Sequence, residues 1–214
     1  MSDLDRRAIR ARHAVPEGYW VHGHAIVSAD DKIAGADGLT PPELRNEADW
    51  TRFQAALDEA AVTVLGRLGH EANPNVARRR RLVLTRRVAA FEAGEGCWLW
   101  NPAGRALADA LANIAPQGGI VAVPGGQPVF DFFLAVGYDA FHLARAETVT
   151  IGAGTTLFSN IDRDRPAADL LRAAGLEAGP PKDLDPSAGV TLTLWRRGGD
   201  RPIRTAPGSA RATG

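Results

Sequence analysis

Ile120-Val121-Ala122-Val123-Pro124-Gly125-Gly126-Gln127-Pro128-Val129-Phe130 is a β-branched run that ends on two glycines, after which a proline opens an apolar segment. The run predicts a buried strand, and the residues after Gly126 predict a helix. Glycine lets backbone approach a ligand with no Cβ in the way. A proline at the first helical position removes a donor that has no partner within the helix. The N–H groups that remain, with the positive end of the helix dipole, suit an anion. A strand–Gly-Gly–helix junction therefore reads as a phosphate or pyrophosphate site; taken alone it is equally a tight turn where a helix packs back on its sheet.

On both sides of this junction strands and helices alternate. Trp20–Val27 reads as a buried strand, and 46–60 as a helix with Asn46 as its cap and Asp49 three residues on, an acidic variant of the capping box. Val62–Leu65 forms a strand ending at Gly66, with further strands at Arg81–Thr85 and Cys97–Trp100. Ala103–Ile114 is an Ala/Leu-rich helix, and the helix after Gly126 runs to Val136. Ala140–Ala144 and Val190–Trp195 read as strands with a helix near Pro166–Ala174 between them. This alternation implies an α/β protein with a largely parallel sheet covered on both faces. Ligands of such sheets bind beyond the carboxyl ends of the strands. Three strands end there in suggestive residues: Gly66-Arg67, Thr85-Arg86 and Gly125-Gly126.

The chain has 214 residues, 45% hydrophobic and 23% charged, with zero formal net charge. This is the composition of one ordinary globular domain. The basic run Arg78–Arg81 is thus a local feature, and neither a nucleic acid nor an anionic membrane is an expected partner. Cys97 is the only cysteine, which excludes an internal disulfide and a cysteine-based metal cluster. No apolar run approaches the roughly 20 residues that span a bilayer, and the expected compartment is the cytoplasm. Residues 1–18 read as a loose extension, 19–198 as the domain, and 199–214 as a disordered tail.

Within the domain, Asp49 sits in the first turn of its helix. Capping and dipole complementarity, worth roughly 0.3–1 kcal/mol, account for it without any function. A second reading notes that Phe53, four residues on, shares its helix face. A carboxylate beside an aromatic ring can hold a protonatable heterocycle and assist its protonation. Arg67 and Arg86 at strand ends can fork onto a phosphate or stand as solvated loop arginines. Trp98 and Trp100 share a strand face and read as packing. His22 and His24 also share a face, but with no acidic or cysteine partner at ligand spacing, and no metal site is expected from them or from His142. The pattern Gly-x-x-x-x-Gly-Lys-Ser/Thr is absent, as are Gly-x-Gly-x-x-Gly after the first strand and Gly-x-Ser-x-Gly.

Over about residues 20–196 these segments resemble the dihydrofolate reductase-like superfamily, which includes the reductase domain of riboflavin biosynthesis. Ser28-Ala29-Asp30-Asp31-Lys32-Ile33-Ala34 is similar to the riboflavin branch's S-x-D-G-K-I-A, with Asp31 in place of glycine. Asn46–Phe53 resembles the folate-branch helix whose acidic residue and aromatic hold the pteridine. Val64-Leu65-Gly66-Arg67 and Leu82-Val83-Leu84-Thr85-Arg86 resemble the strands whose ends meet the cofactor phosphates, and Val123–Phe130 is similar to V-x-G-G-x-x-V-Y.

The resemblance implies a three-layer fold with a mostly parallel central sheet, helices on both faces and an antiparallel C-terminal strand. It implies an NADPH-dependent reductase, commonly a homodimer, acting on a small heterocyclic substrate. Gly66, Arg67, Thr85, Arg86, Gly125, Gly126, Gln127, Pro128 and Val129 would bind the cofactor. Asp49, as catalytic residue, would bind substrate with Phe53 and Arg79, which aligns with the arginine that takes the folate tail. Substrate positions depart from both branches: Glu43-Leu44 replaces Pro-Trp, Ala144 a threonine, Leu57 a phosphate-binding arginine and Gly69 a threonine. A nucleotide-binding protein without catalysis is the alternative.

Overall fold

The structure is a computed structural model that describes residues 3–198. Helix α1 (Asp3–Arg12) leads into β1 (Tyr19–Ser28) and β2 (Lys32–Gly35), and a 3-10 turn at Pro42–Leu44 precedes α2 (Glu47–Glu59). Strand β3 (Val62–Gly66), the short α3 (Arg67–Ala72) and β4 (Arg81–Leu84) follow, then the hairpin of β5 (Phe91–Gly94) and β6 (Cys97–Trp100). Helix α4 (Leu107–Ile114), β7 (Gly119–Gly125), α5 (Gln127–Val136) and β8 (Ala140–Ala146) come next. Strand β9 (Gly154–Thr156), α6 (Ala167–Ala173), β10 (Leu176–Ala178), β11 (Lys182–Asp185) and β12 (Val190–Arg197) complete the described chain.

The main sheet has the order β10-β12-β8-β1-β7-β3-β4-β6-β5, with β11 also on β12. From β8 to β6 the pairing is parallel; β12 runs antiparallel to β8, and β5 to β6. This is the mostly parallel sheet with an antiparallel C-terminal strand that the family resemblance implies. Side chains alternate between the faces of a strand. Odd positions of β1 such as Val21 and Val27 join Phe130, Phe133, Phe141 and Leu170 in the main core, which also takes in α4 and α6. The even positions His22 and His24 face α2 instead, His24 lying beside Phe53. Among the described residues no helix is long and apolar enough to cross a membrane.

Two local readings change. The first turn expected of α4 is absent: the Asn101 carbonyl accepts from Gly104 and Arg105, its side-chain oxygen from Ala103, and the helix starts at Leu107. Gly104 is pressed so close to the Ala89 carbonyl that a Cβ there would overlap it. Residues 3–12, expected to be loose, form α1, because His13 and Ile9 anchor it to the body of the domain. The expected tail at 199–214 lies outside the described residues. Trp100 is fully buried and bonds the Arg105 carbonyl, whereas Trp98 is surface-exposed and stacks on Phe91 at 4.9 Å.

Candidate functional site

Because β7, β3 and β4 are adjacent and parallel, their carboxyl ends form one continuous edge. Leu65 pairs with Gly125, and Gly66 with Leu84. Gly125 has φ +108°, and a Cβ on it would meet the Phe130 ring at 2.5 Å, so side chains other than hydrogen are excluded. Gly126 is exposed, and a Cβ there would meet nothing within 4 Å: the backbone faces open space. The peptide joining the two glycines is cis. A Cβ on Gly66 would fall 3.9 Å from the Gly126 nitrogen, which places the two loops side by side. Helix α5 starts at Gln127, so Pro128 is its second residue rather than its first. The Gln127 amide donates to Thr156, to its carbonyl and its hydroxyl, both at 2.9 Å. Val129 is fully buried and packs behind Gly66.

The arginines of the edge are not equivalent. Arg67 donates to both oxygens of Glu71, one turn along α3, at 2.8 and 2.6 Å. Arg86 is exposed and has no ion-pair partner among the described residues. Thr85 is buried and its hydroxyl accepts from Arg87 N–H, fixing the turn after β4. Arg79 lies before β4, at the amino end of that strand. Its guanidinium is held by Asp58 at 2.8 Å and by the Gln54 side chain and carbonyl, all on α2. The arginine assigned from sequence to substrate therefore clamps the loop before β4 to α2.

Helix α2 returns across the sheet between parallel strands, which brings its first turn to the same carboxyl edge. Asn46 caps it as expected, accepting from Asp49 N–H at 3.0 Å, and its amide donates to Asp185. The Asp49 side chain is buried and accepts from Arg52 at 3.0 Å. Arg52 in turn approaches His142 Nδ1 at 3.4 Å, and Phe53 lies 6.2 Å from the His24 ring. Asp49 and Phe53 thus look onto the sheet at β1 and β8, as their spacing implies. Arg52 and His142 are additions that the sequence reading does not assign. The Asp49–Arg52 spacing of three residues made that pair legible, whereas His142 needed the β1–β8 register. Burial lowers the pKa of all three histidines beneath α2: His22, His24 well below its ordinary value, and His142 to about 3, with Arg52 adding to the last. Beside this site, at the same edge, a cleft of about 580 Å³ is lined by Gly35, Leu39, Pro42, Arg45 and Ile151 among others.

This architecture is the dihydrofolate reductase-like fold. One solved structure that shares it is the diaminohydroxyphosphoribosylaminopyrimidine deaminase/5-amino-6-(5-phosphoribosylamino)uracil reductase of Thermotoga maritima, with TM-score 0.59 and 17% identity over 85% of this chain. This chain covers 57% of that protein's length. Another is dihydrofolate reductase from Enterococcus faecalis, solved with NADP(H) and RAB-propyl, with TM-score 0.58 and 19% identity over 84% of this chain and 97% of that one. No family model matches the sequence, and no curated protein matches it.

Proposed function

We propose that the chain is an NADPH-dependent reductase that transfers hydride to a C=N or C=O bond of a pterin- or pyrimidine-like ring. The observation that carries this reading is the continuous backbone edge of Gly66, Gly125 and Gly126, open at Gly126, on the same carboxyl edge of the sheet that the first turn of α2 brings its buried carboxylate Asp49 to. The edge fits the proposed cofactor: exposed backbone at the start of α5 suits a pyrophosphate, and arginines flank it. Gly66, Gly125, Gly126 and the Gln127 N–H would hold the pyrophosphate, with Thr85 shaping the adjacent turn. Arg86, and Arg67 once it leaves Glu71, would favour the form carrying a 2′-phosphate. When bound, NADPH supplies the hydride.

The chain's own work is alignment and electrostatics. Asp49 would accept N–H groups of the ring and favour its protonated, more electrophilic state. Phe53 would stack against it. Arg52 restrains Asp49, so substrate must share the carboxylate with it or displace it. That pair also gives the alternative, a nucleotide-binding protein without catalysis, its one specific support.

Titration with NADPH and with NADH, followed by tryptophan fluorescence, tests the cofactor half. Saturable NADPH binding, weaker for NADH and weakened by Arg86→Ala, is the expected result; no binding of either removes the assignment. A panel of oxidised pterins and pyrimidines should then contain one that makes the reduced nicotinamide's absorbance fall. With it, Asp49→Asn should lower turnover more than NADPH affinity. Unchanged turnover would take Asp49 out of the mechanism, and binding without any ligand-dependent loss would favour the non-catalytic reading.

A further inference from the structure

Strand β1 places His22 and His24 on the face under α2, and β8 places His142 directly opposite His24 in the ladder. The His24 and His142 rings are 4.5 Å apart and nearly parallel, and the His22 ring is 5.8 Å from His142. One ring nitrogen from each lies within 4.8 Å of the others. His24 is 3% exposed, yet neither of its ring nitrogens has a hydrogen-bond partner among the described residues, and His22 Nε2 has none either. An imidazole always carries at least one polar nitrogen in need of a partner. Buried polar groups in folded proteins are paired as a rule, and exceptions point to a water or an ion.

We propose that His22, His24 and His142 form a binding site for a divalent transition-metal cation, zinc foremost, enclosed between the sheet and α2. The donor set selects the metal class: three imidazole nitrogens suit zinc, cobalt, nickel or copper, whereas magnesium and calcium take oxygen. A tetrahedral cation with bonds of 2.0–2.1 Å holds its nitrogens about 3.4 Å apart. The rings therefore close by about 1.4 Å at the widest separation, which side-chain rotation on rigid strands supplies. Three protein ligands leave a fourth position, as in sites that keep an exchangeable ligand. Burial keeps the rings neutral, the form that ligates. Arg52 is the competitor, because its guanidinium approaches His142 at Nδ1 and brings a positive charge beside the cluster. Asp49, already bonded to Arg52, gives that guanidinium a place to go. The cation site is distinct from the glycine edge, and it stands or falls independently of the reductase reading.

The test uses the full chain, stripped with a chelator and free of nicotinamide, titrated with Co2+ and followed by its visible d–d absorption. Expected are saturation at one Co2+ per chain, the intense spectrum of a nitrogen-ligated tetrahedral ion, and displacement by Zn2+. His142→Asn and His22→Asn, checked for fold by circular dichroism, should each abolish that spectrum, and His70→Ala, outside the cluster, should leave it. Arg52→Gln should tighten binding several-fold, a response that a cluster holding only water has no reason to show. No saturable binding, or a spectrum that survives both His142→Asn and His22→Asn, overturns the site. Because no nicotinamide is present, failure here leaves the NADPH titration to be judged on its own.

Discussion

Asp31 occupies a position that the left-handed backbone reserves for glycine, with φ +58°. A residue with a Cβ costs roughly 1–2 kcal/mol there. The carboxylate offsets that cost by joining three separate elements. It accepts from the Arg145 guanidinium on β8 and from Ala167 N–H at the start of α6, while the Asp31 carbonyl accepts from Leu157 N–H. Arg145 also donates to the Ser28 and Ala29 carbonyls, so the pair secures the turn that leaves β1. The resemblance marks Asp31 as standing where the motif has glycine; the turn itself and the partners of the aspartate, more than a hundred residues away, are not legible in the motif. Asp31→Ala should lose about 2–4 kcal/mol, since it keeps the backbone strain and leaves a half-buried arginine and a buried helix N–H without their carboxylate acceptor. Asp31→Gly, free of that strain, should lose about 1 kcal/mol less. Urea denaturation of both variants measures the difference. Wild-type stability in Asp31→Ala would mean that the carboxylate contributes nothing.

At the scale of elements, α1 and α4 show how a polar anchor escapes a hydrophobic pattern. Helix α4 has Ala106 at its cap position, which offers no side-chain acceptor. The acceptor comes instead from the residue just after α1: His13 Nδ1 takes the Leu107 N–H at 3.2 Å. His13 is buried, with Phe132 at 5.0 Å and Trp100 at 5.9 Å, both edge-on, and burial lowers its pKa, with Arg12 adding to the effect. That favours the neutral ring, whose Nδ1 is free to accept. At the other end of the contact, Arg10 donates to the Ala135 carbonyl in the last turn of α5, where helix carbonyls lack intrahelical partners. Arg6, Arg7, Arg10 and Arg12 give this segment the composition of a solvated tail, and its fastening by hydrogen bonds leaves no apolar period to read. His13→Ala should cost about 1–2 kcal/mol, the usual loss for a removed cap. The same variant should speed hydrogen exchange at Leu107 N–H. An unchanged exchange rate there would show that His13 does not cap α4.

For the whole molecule, the strands of the parallel core announce themselves because both their faces are covered, which leaves continuous apolar runs at β3, β4 and β7. The short polar strands β2, β9, β10 and β11 have no such pattern and exist only through their partners. The glycine edge was legible since glycine, proline and arginine mark strand ends locally. The histidine cluster was not: His24 and His142 meet only once β8 lies beside β1, a long-range pairing that neither strand's sequence contains. That cluster, together with His13, sets the expected response of the molecule to acid. The pKa of His22, His24 and His142 is lowered in the fold, chiefly by burial; Asp139 opposes the shift at His22, while His142 adds to it at His24 and Arg52 at His142. Between the ordinary histidine value near 6.5 and these folded values, the unfolded chain binds more protons than the folded one. Stability therefore rises with pH through that window and is lost as pH falls below about 6.5, by on the order of 1 kcal/mol per pH unit for each histidine. Asp30, whose carboxyl is held below its ordinary value, against the opposing effect of burial, by hydrogen bonds from Ser28, Ile151 and Gly152, adds a loss in the same direction but only at lower pH, so the first loss belongs to the histidines. Urea midpoints measured from about pH 7.5 to about pH 4.5 should fall steeply, starting near pH 6.5. His142→Asn should flatten the slope, because an uncharged amide has no proton to take up. A flat profile of the metal-free wild type over that range would mean that the three rings take up no extra protons on unfolding, and would remove this account of the acid response.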